Sequence, residues 1–284
     1  MDINFTKMQS CGNDYIYINT ICKDFFENTT CTPEQLAIKL SDRNYAIGGD
    51  GMILICSSAV ADGKMRIFNA DGSEGKMCGN GVRCVGKYLY DNKIANKDTI
   101  SIETLSGIKT IEVTAENGLM TSGRVNMGAA ILAPELIPVN LNGKSIINKK
   151  VKLAGQVYHI TCVSMGNPHV VIFCQDADEI DLNAIGPLIE NDPIFPEKVN
   201  VEFVQVISKT KLKIRVWERG SGITLGCGTG ACAAVVAAVL NGYCDEGSTV
   251  AVKLPGGEVE ITYTEDAVFM TGDAVKSFEG VVSI

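Results

Sequence analysis

Along the chain, apolar and polar positions alternate over short stretches more often than apolar residues recur with helical spacing. Segments 14–19, 52–56, 64–68, 99–104, 110–113, 170–173, 211–217 and 250–254 carry the two-residue period with β-branched and aromatic side chains, and read as strands. Helical spacing holds at 33–42, where Thr32 is placed to cap the first turn, at about 82–92, and at about 231–241, ending before Gly242. Strands outnumber helices and do not alternate strictly with them, so the pattern predicts an α+β fold rather than a doubly wound sheet. Residues 128–143, with Pro134 and Pro138, form the expected linker.

The pattern occurs twice. KMCGNGVRC (76–84) and LGCGTGACA (225–233) share a Cys-Gly-x-Gly core that runs into a helical stretch, and each follows a strand-like segment ending nine residues before its cysteine, at Asn69 and at Glu218. Further upstream, SCGNDYIYI (10–18) and SMGNPHVVI (164–172) share Gly-Asn before a strand. Three landmarks in one order, offset by about 150 residues, point to an internal duplication rather than chance similarity among glycine-rich turns, and the offset is too long for a solenoid. The expected organisation is two pseudo-symmetric domains: an N-terminal half over 1–128, joined by a C-terminal strand at 273–284, and a second half over 129–272.

Composition narrows the classes. The chain has 284 residues, 46% of them hydrophobic, enough for ordinary cores, and its net charge of -8 disfavours general affinity for nucleic acid or anionic membranes. Its start lacks a basic and apolar leader, and the longest apolar helical run, 231–240, is too short to span a bilayer, so a cytoplasmic protein is expected. The cysteines, 11 in number, read as reduced thiols rather than a disulfide framework in a chain this long with no leader expected; none forms a Cys-x-x-Cys pair, and with only His159 and His169 beside them no zinc pattern is present and no metal is expected.

A thiol in a tight turn serves packing, metal binding, redox chemistry or catalysis, and its repetition favours the last. At a helix start it meets unsatisfied N–H groups and the positive end of the helix dipole, which favour thiolate, so the pKa of Cys78 and of Cys227 is expected to fall. The glycines at 79, 81, 228 and 230 leave backbone N–H groups open to a carboxylate. Two such devices facing one another suit acid–base chemistry with inversion: one thiolate removes a hydrogen α to a carboxylate and the opposing thiol delivers one, with the domains closing to exclude water. A nucleotide-binding module is the remote rival. It fails because Gly230 is followed by Ala231 rather than a Walker lysine, and because Asp245 precedes the strand at 250–254 instead of ending it.

The segments FTKMQSCGNDY, FNADGSEGKMCGNGVRC, SMGNPH, NVEFVQ and VWERGSGITLGCGTGACA, in this order across nearly the whole chain, closely resemble the diaminopimelate epimerases. The resemblance implies two halves, each a mostly antiparallel sheet or barrel wrapped around a central helix. It implies a pyridoxal-independent enzyme without a cofactor that interconverts LL- and meso-diaminopimelate for lysine and peptidoglycan synthesis, and a homodimer. Cys78 and Cys227 match the family's catalytic pair. Asn13, Asn69, Asn167, Asn200, Glu218 and Arg219 match substrate contacts, Gly79, Asn80, Gly228 and Thr229 match the backbone cradle for the reacting carboxylate, and His169, with Glu218, matches groups that tune the site. Arg219 suits a distal carboxylate and Glu218 a distal ammonium. Two positions depart from the usual pattern: Gly51 stands where many members have glutamine, and Thr229 where many have serine.

The alternative within the class is a racemase of another amino acid, such as histidine or proline, because small pocket changes redirect specificity. Plainer readings apply elsewhere. Cys22, Cys31, Cys56, Cys162, Cys174 and Cys244 lack a glycine cradle and read as packing or surface residues, as do Cys84 and Cys232 inside their helices, while Cys11 sits beside the proposed site. His159 reads as structural. Taken without the resemblance, the four asparagines read as turn residues and Glu218–Arg219 as an exposed pair.

Overall fold

The computed structural model describes residues 2–22, 26 and 31–283. They form two compact units, Met1–Val125 with Thr271–Ile284, and Asn126–Met270.

In the first unit, β1 (Asp2–Ser10), β2 (Asn13–Asn19), α1 (Pro33–Ser41), β3 (Gly51–Cys56), β4 (Gly63–Asn69), β5 (Glu74–Gly75), α2 (Gly79–Asp91), β6 (Thr99–Thr104) and β7 (Gly107–Glu116) follow in sequence, and β8 (Leu119–Gly128) begins there and ends past its boundary. The second contains β9 (Lys149–Leu153), β10 (Gln156–Ser164), β11 (Pro168–Cys174), α3 (Leu182–Glu190), β12 (Asn200–Ser208), β13 (Lys211–Glu218), β14 (Gly222–Ile223), α4 (Gly228–Leu240), β15 (Thr249–Leu254) and β16 (Gly257–Tyr263). The chain then runs through β17 (Val268–Asp273) to β18 (Val275–Ser283), which pairs antiparallel with β1 in the first unit.

Each unit repeats one pairing scheme. A hairpin joins β1 to β2, β2 runs parallel to β3, β3 pairs antiparallel with β4, and β4 runs parallel to β6. Likewise a hairpin joins β10 to β11, β11 runs parallel to β12, β12 pairs antiparallel with β13, and β13 runs parallel to β15. Every parallel step needs a crossover, which α1 and α2 supply in one unit and α3 and α4 in the other. The duplication therefore extends to strand register: Tyr15 lies opposite Gly51 as His169 lies opposite Asn200.

A central helix fills each unit. Along α2, residues Gly79 to Lys87 are buried, packed against β1, β2, β4, β6 and β7. In α4, residues Gly230 to Ala238 are buried among β10 to β13, β15 and β16. A helix apolar all round, as GTGACAAVVAAVL is, buries only at such a centre. Small residues permit the close approach: a Cβ on Gly81 would lie 2.8 Å from Ile53 Cδ1. Each unit has a further apolar core that includes residues of its other helix, one with Leu36 and Leu40 of α1 beside Met52 and Phe68, the other with Leu182 of α3 beside Ile137, Ile160 and Phe203.

The α+β class and the sheet-around-helix architecture expected from sequence are observed. Both central helices start three residues before their apolar spacing does, at Gly79 and Gly228, because glycine and polar residues in the first turn carry no hydrophobic period. The pattern also passed over α3, whose Gly186 and Pro187 read as breakers. Gly186 is there for room, since a Cβ would meet Trp217 Cγ at 2.5 Å. Residues 129–148 contain a single 3₁₀ turn at Pro134–Leu136 and an isolated bridge from Ile131 to Ser164, and otherwise run as loop. Among the described residues no helix is long and apolar enough to cross a membrane.

Candidate active site

Both conspicuous cysteines are helix N-caps. Cys78, half-buried, has extended backbone angles (φ -138°, ψ 120°), and its Sγ accepts the N–H of Gly81 at 3.4 Å. Cys227, buried, does the same for α4 (φ -101°, ψ 101°), accepting the Gly230 N–H at 3.3 Å. Sulfur thus takes the place of the serine or aspartate oxygen that normally caps a helix. Gly79 and Asn80 form that first turn in one unit, and Gly228 and Thr229 in the other. The Asn80 side chain is buried, its Oδ1 accepting from Arg83 Nη2 at 2.7 Å.

In the first unit the Cys11-Gly12 turn of the β1–β2 hairpin brings Asn13 to the sulfur. Positive φ at both residues (51° and 75°) matches the tight hairpin turn that β-strand twist favours. The Cys78 thiol donates to Asn13 Oδ1 at 3.4 Å, and Asn13 Nδ2 donates to Asp50 Oδ2 at 2.9 Å. Asn69 ends β4, with Nδ2 donating to Ser73 Oγ at 2.9 Å. Cys11 is buried, and burial raises its pKa, which suits a structural turn residue.

The second unit surrounds its sulfur with acids. Thr229 Oγ1 lies 3.6 Å from Cys227 Sγ and receives Asn167 Nδ2 at 3.3 Å. Asn167 Oδ1 faces His169 Nε2 at 3.0 Å, and His169 Nδ1 meets Glu202 Oε1 at 2.7 Å with both side chains fully buried. Glu218 hydrogen-bonds Thr224 and Cys227. Asn200 is committed to backbone, donating to Pro168 O at 2.8 Å and accepting Arg219 N at 2.9 Å, and thereby fixes the Glu218–Arg219 turn. Exposed Arg219 extends to the carbonyl of Glu197 at 2.9 Å.

These surroundings correct the expectation that helix capping lowers the Cys227 pKa. Burial pushes the thiol well above its usual range, the Glu218 and Glu202 charges add to the rise, and hydrogen bonds from Thr229 and Gly230 offset only part of it. Burial likewise raises the carboxyls of Glu202 and Glu218, against the lowering influence of His169 on both. Sequence reasoning missed Glu202 and Asp50. The signal for Glu202 was an acid inside the otherwise apolar strand NVEFV; Asp50 stood between glycines in GGDG.

Gly51 has a steric reason. A Cβ there would clash with Phe68 O and lie 2.8 Å from Tyr15 Cε1, so this backbone leaves no room for a side chain at position 51. Burial raises Cys84 and Cys162 to about 12 and Cys174 to about 11, as befits packing residues. His159 pairs with Asn148 Oδ1 at 3.1 Å on the exposed side of β10. Among the described residues no cluster of His, Cys, Asp or Glu has the grouping of a metal site.

A duplicated α+β unit with a thiol-capped central helix in each copy, taken with the match to a family of epimerases, places the chain in the class of isomerases. The family model for diaminopimelate epimerase matches residues 5–133 and 161–277. The chain is 50% identical over 284 residues to the diaminopimelate epimerase of Acetivibrio thermocellus, covering 99% of each chain. It is 49% identical to that of Methanococcus maripaludis, covering 99% of this chain and 100% of the relative. The chain belongs to the diaminopimelate epimerase family. Among solved structures, a PhzF-family phenazine biosynthesis protein of Bacillus anthracis superposes with a TM-score of 0.69 at 20% identity, covering 100% of both chains. A hydroxyproline epimerase from Agrobacterium vitis superposes with a TM-score of 0.63 at 12% identity, covering 99% of this chain and 91% of the other, and shows the shared fold.

Proposed function

We propose that this chain interconverts LL- and meso-diaminopimelate, in the synthesis of lysine and peptidoglycan precursors, by passing the α-hydrogen between Cys78 and Cys227. One sulfur takes the hydrogen as a proton and the other returns a proton to the opposite face of the carbon, so each turnover exchanges the protonation states of the thiols. The observation that carries this reading is the repeated use of cysteine as N-cap, which sets a sulfur at the first turn of the central helix in both halves. The backbone of the first turns, at Gly79, Asn80, Gly228 and Thr229, suits the reacting carboxylate, whose charge grows as the proton leaves.

Glu218 and Arg219, held by Asn200, suit the ammonium and carboxylate of an amino acid head group, with Asn13, Asn69 and Asn167 as further polar contacts. An ammonium near Glu218 would neutralise the charge that keeps Cys227 protonated, so binding itself lowers the cost of making a thiolate. His169 opposes the same carboxylates from inside. The reading places the enzyme in the cytoplasm as a homodimer, which sedimentation tests.

The deciding experiment incubates purified protein with a single diaminopimelate stereoisomer in deuterium oxide. Solvent deuterium should enter the α-position with formation of the second isomer, and Cys78→Ala or Cys227→Ala should abolish epimerisation. Turnover by the double alanine variant would refute the mechanism. Exchange of proline or histidine in place of diaminopimelate would redirect the substrate.

A further inference from the structure

The two halves hold their matching asparagines in opposite senses. Asn13 and Asn167 occupy the same place in the repeat, each after a glycine at the head of the strand entering the parallel pair. Asn167 faces a ring nitrogen: its Oδ1 lies toward His169 and its Nδ2 donates to Thr229, whose hydroxyl neighbours Cys227. Asn13 faces an acid. Its Nδ2 is bound by Asp50 Oδ2, which leaves Oδ1, an acceptor only, toward Cys78 Sγ.

Asp50 is not free to do otherwise. Its Oδ2 also accepts the Asp14 N–H at 3.0 Å, its Oδ1 accepts Arg43 Nη2 at 2.9 Å, and its backbone N–H bonds Asp14 O at 2.7 Å. The flanking glycines enforce the turn. Gly48 has φ 77° and Gly49 sits so close to Lys7 Nζ that a Cβ would lie 2.5 Å from it. A carboxylate offers no donor, so with Asp50 ionised the reverse orientation of Asn13 would set two acceptors against each other.

We propose that Asp50 is a positioning residue: by fixing the Asn13 amide it keeps an acceptor on the Cys78 sulfur and so holds that thiol in its protonated, proton-delivering state before substrate binds. This rests on the two-thiol reading above. Elements packed against α2 carry further charged and titratable groups: Arg83, Cys84 and the Lys87–Asp91 pair on α2 itself, Tyr17 on β2, Lys109 on β7, the Arg66–Glu74 pair on β4 and β5, and the Lys64–Glu103 pair on β4 and β6. Lys7, Asp14 and Arg43 surround Asp50. Of these, Asp50 is joined to the sulfur through a hydrogen-bonded side chain, which makes its effect separable from charge alone.

The test follows iodoacetamide alkylation of Cys78 and Cys227 against pH in the unliganded protein, each read by peptide mass spectrometry. Asp50→Asn should lower the Cys78 midpoint by about half a pH unit to one unit, the value of one net hydrogen bond to a thiol, and leave the Cys227 midpoint in place. Asn13→Ala, which leaves the GGDG turn intact, should lower it similarly, and adding Asp50→Asn to it should produce less than half of the single-variant shift. A full additive shift in the double variant, an unmoved Cys78 midpoint in both single variants, or equal movement at Cys227 would overturn the proposal. Should Asp50→Asn not fold, an unmoved midpoint in Asn13→Ala alone would do so. Alkylation needs no substrate, so failure of the epimerase reading would show separately, as wild-type protein that exchanges no α-hydrogen.

Discussion

Replacing Glu218 with glutamine isolates the charge beside Cys227. Glu218 is the leading electrostatic cause of the raised Cys227 pKa after burial, and its carboxylate is hydrogen-bonded to the thiol. Two unit charges about 4 Å apart interact by about 4 kcal/mol at an effective dielectric near 20. Glu218 is partly exposed and shares its charge with Thr224, so about 1.5–3 kcal/mol is a better figure, or about one to two pH units. Because the thiol is charged only when deprotonated, removing the neighbouring negative charge must lower its midpoint. Glu202 remains, so the midpoint should still stand above that of an unperturbed thiol. The assay is ultraviolet difference absorbance of thiolate over a pH series, with a Cys227→Ala background subtracted. An unchanged or increased midpoint would refute the reasoning, and with it the claim that the substrate's ammonium activates Cys227.

Other substitutions test separate parts of the structure. His169→Ala leaves the fully buried Glu202 charge without its partner and should cost about 3–5 kcal/mol in urea unfolding at neutral pH, whereas Glu202→Gln, which keeps a hydrogen-bonding group against Nδ1, should cost less than half as much. The penalty in His169→Ala should shrink as pH falls and Glu202 takes up a proton, because burial raises the folded-state pKa of that carboxyl above its unfolded value. Gly51→Gln should destabilise by about 3 kcal/mol or more, since its Cβ meets backbone oxygen at 2.1 Å; a melting temperature equal to wild type would show that β3 shifts freely.

The candidate site was partly legible in sequence for a definite reason. Residues 76–84 and 225–233 encode their own geometry: an N-cap position, glycines that keep the first turn bare, and a helix that follows. All of that is local, within hydrogen-bond reach of a few residues along the chain. The helix α3 escaped because Gly186, read as a breaker beside Pro187, obeys a packing demand from Trp217, which lies 31 positions away. The protonation of Cys227 escaped for a related reason, as burial and two acids on separate strands outweigh the helix terminus.

By itself the sequence determined that the chain is a duplicated α+β protein whose halves each cap a central helix with sulfur, because periodicity, capping and glycine turns act over short range. Only the tertiary structure decided what those sulfurs face. Asn13 meets Asp50 across 37 residues and His169 meets Glu202 across 33, since parallel strand pairing joins segments that the intervening helices separate along the chain. The acidity of a thiol depends on which charges and dipoles lie within a few ångströms and how much water remains, and both are fixed only once the sheet has closed around its helix.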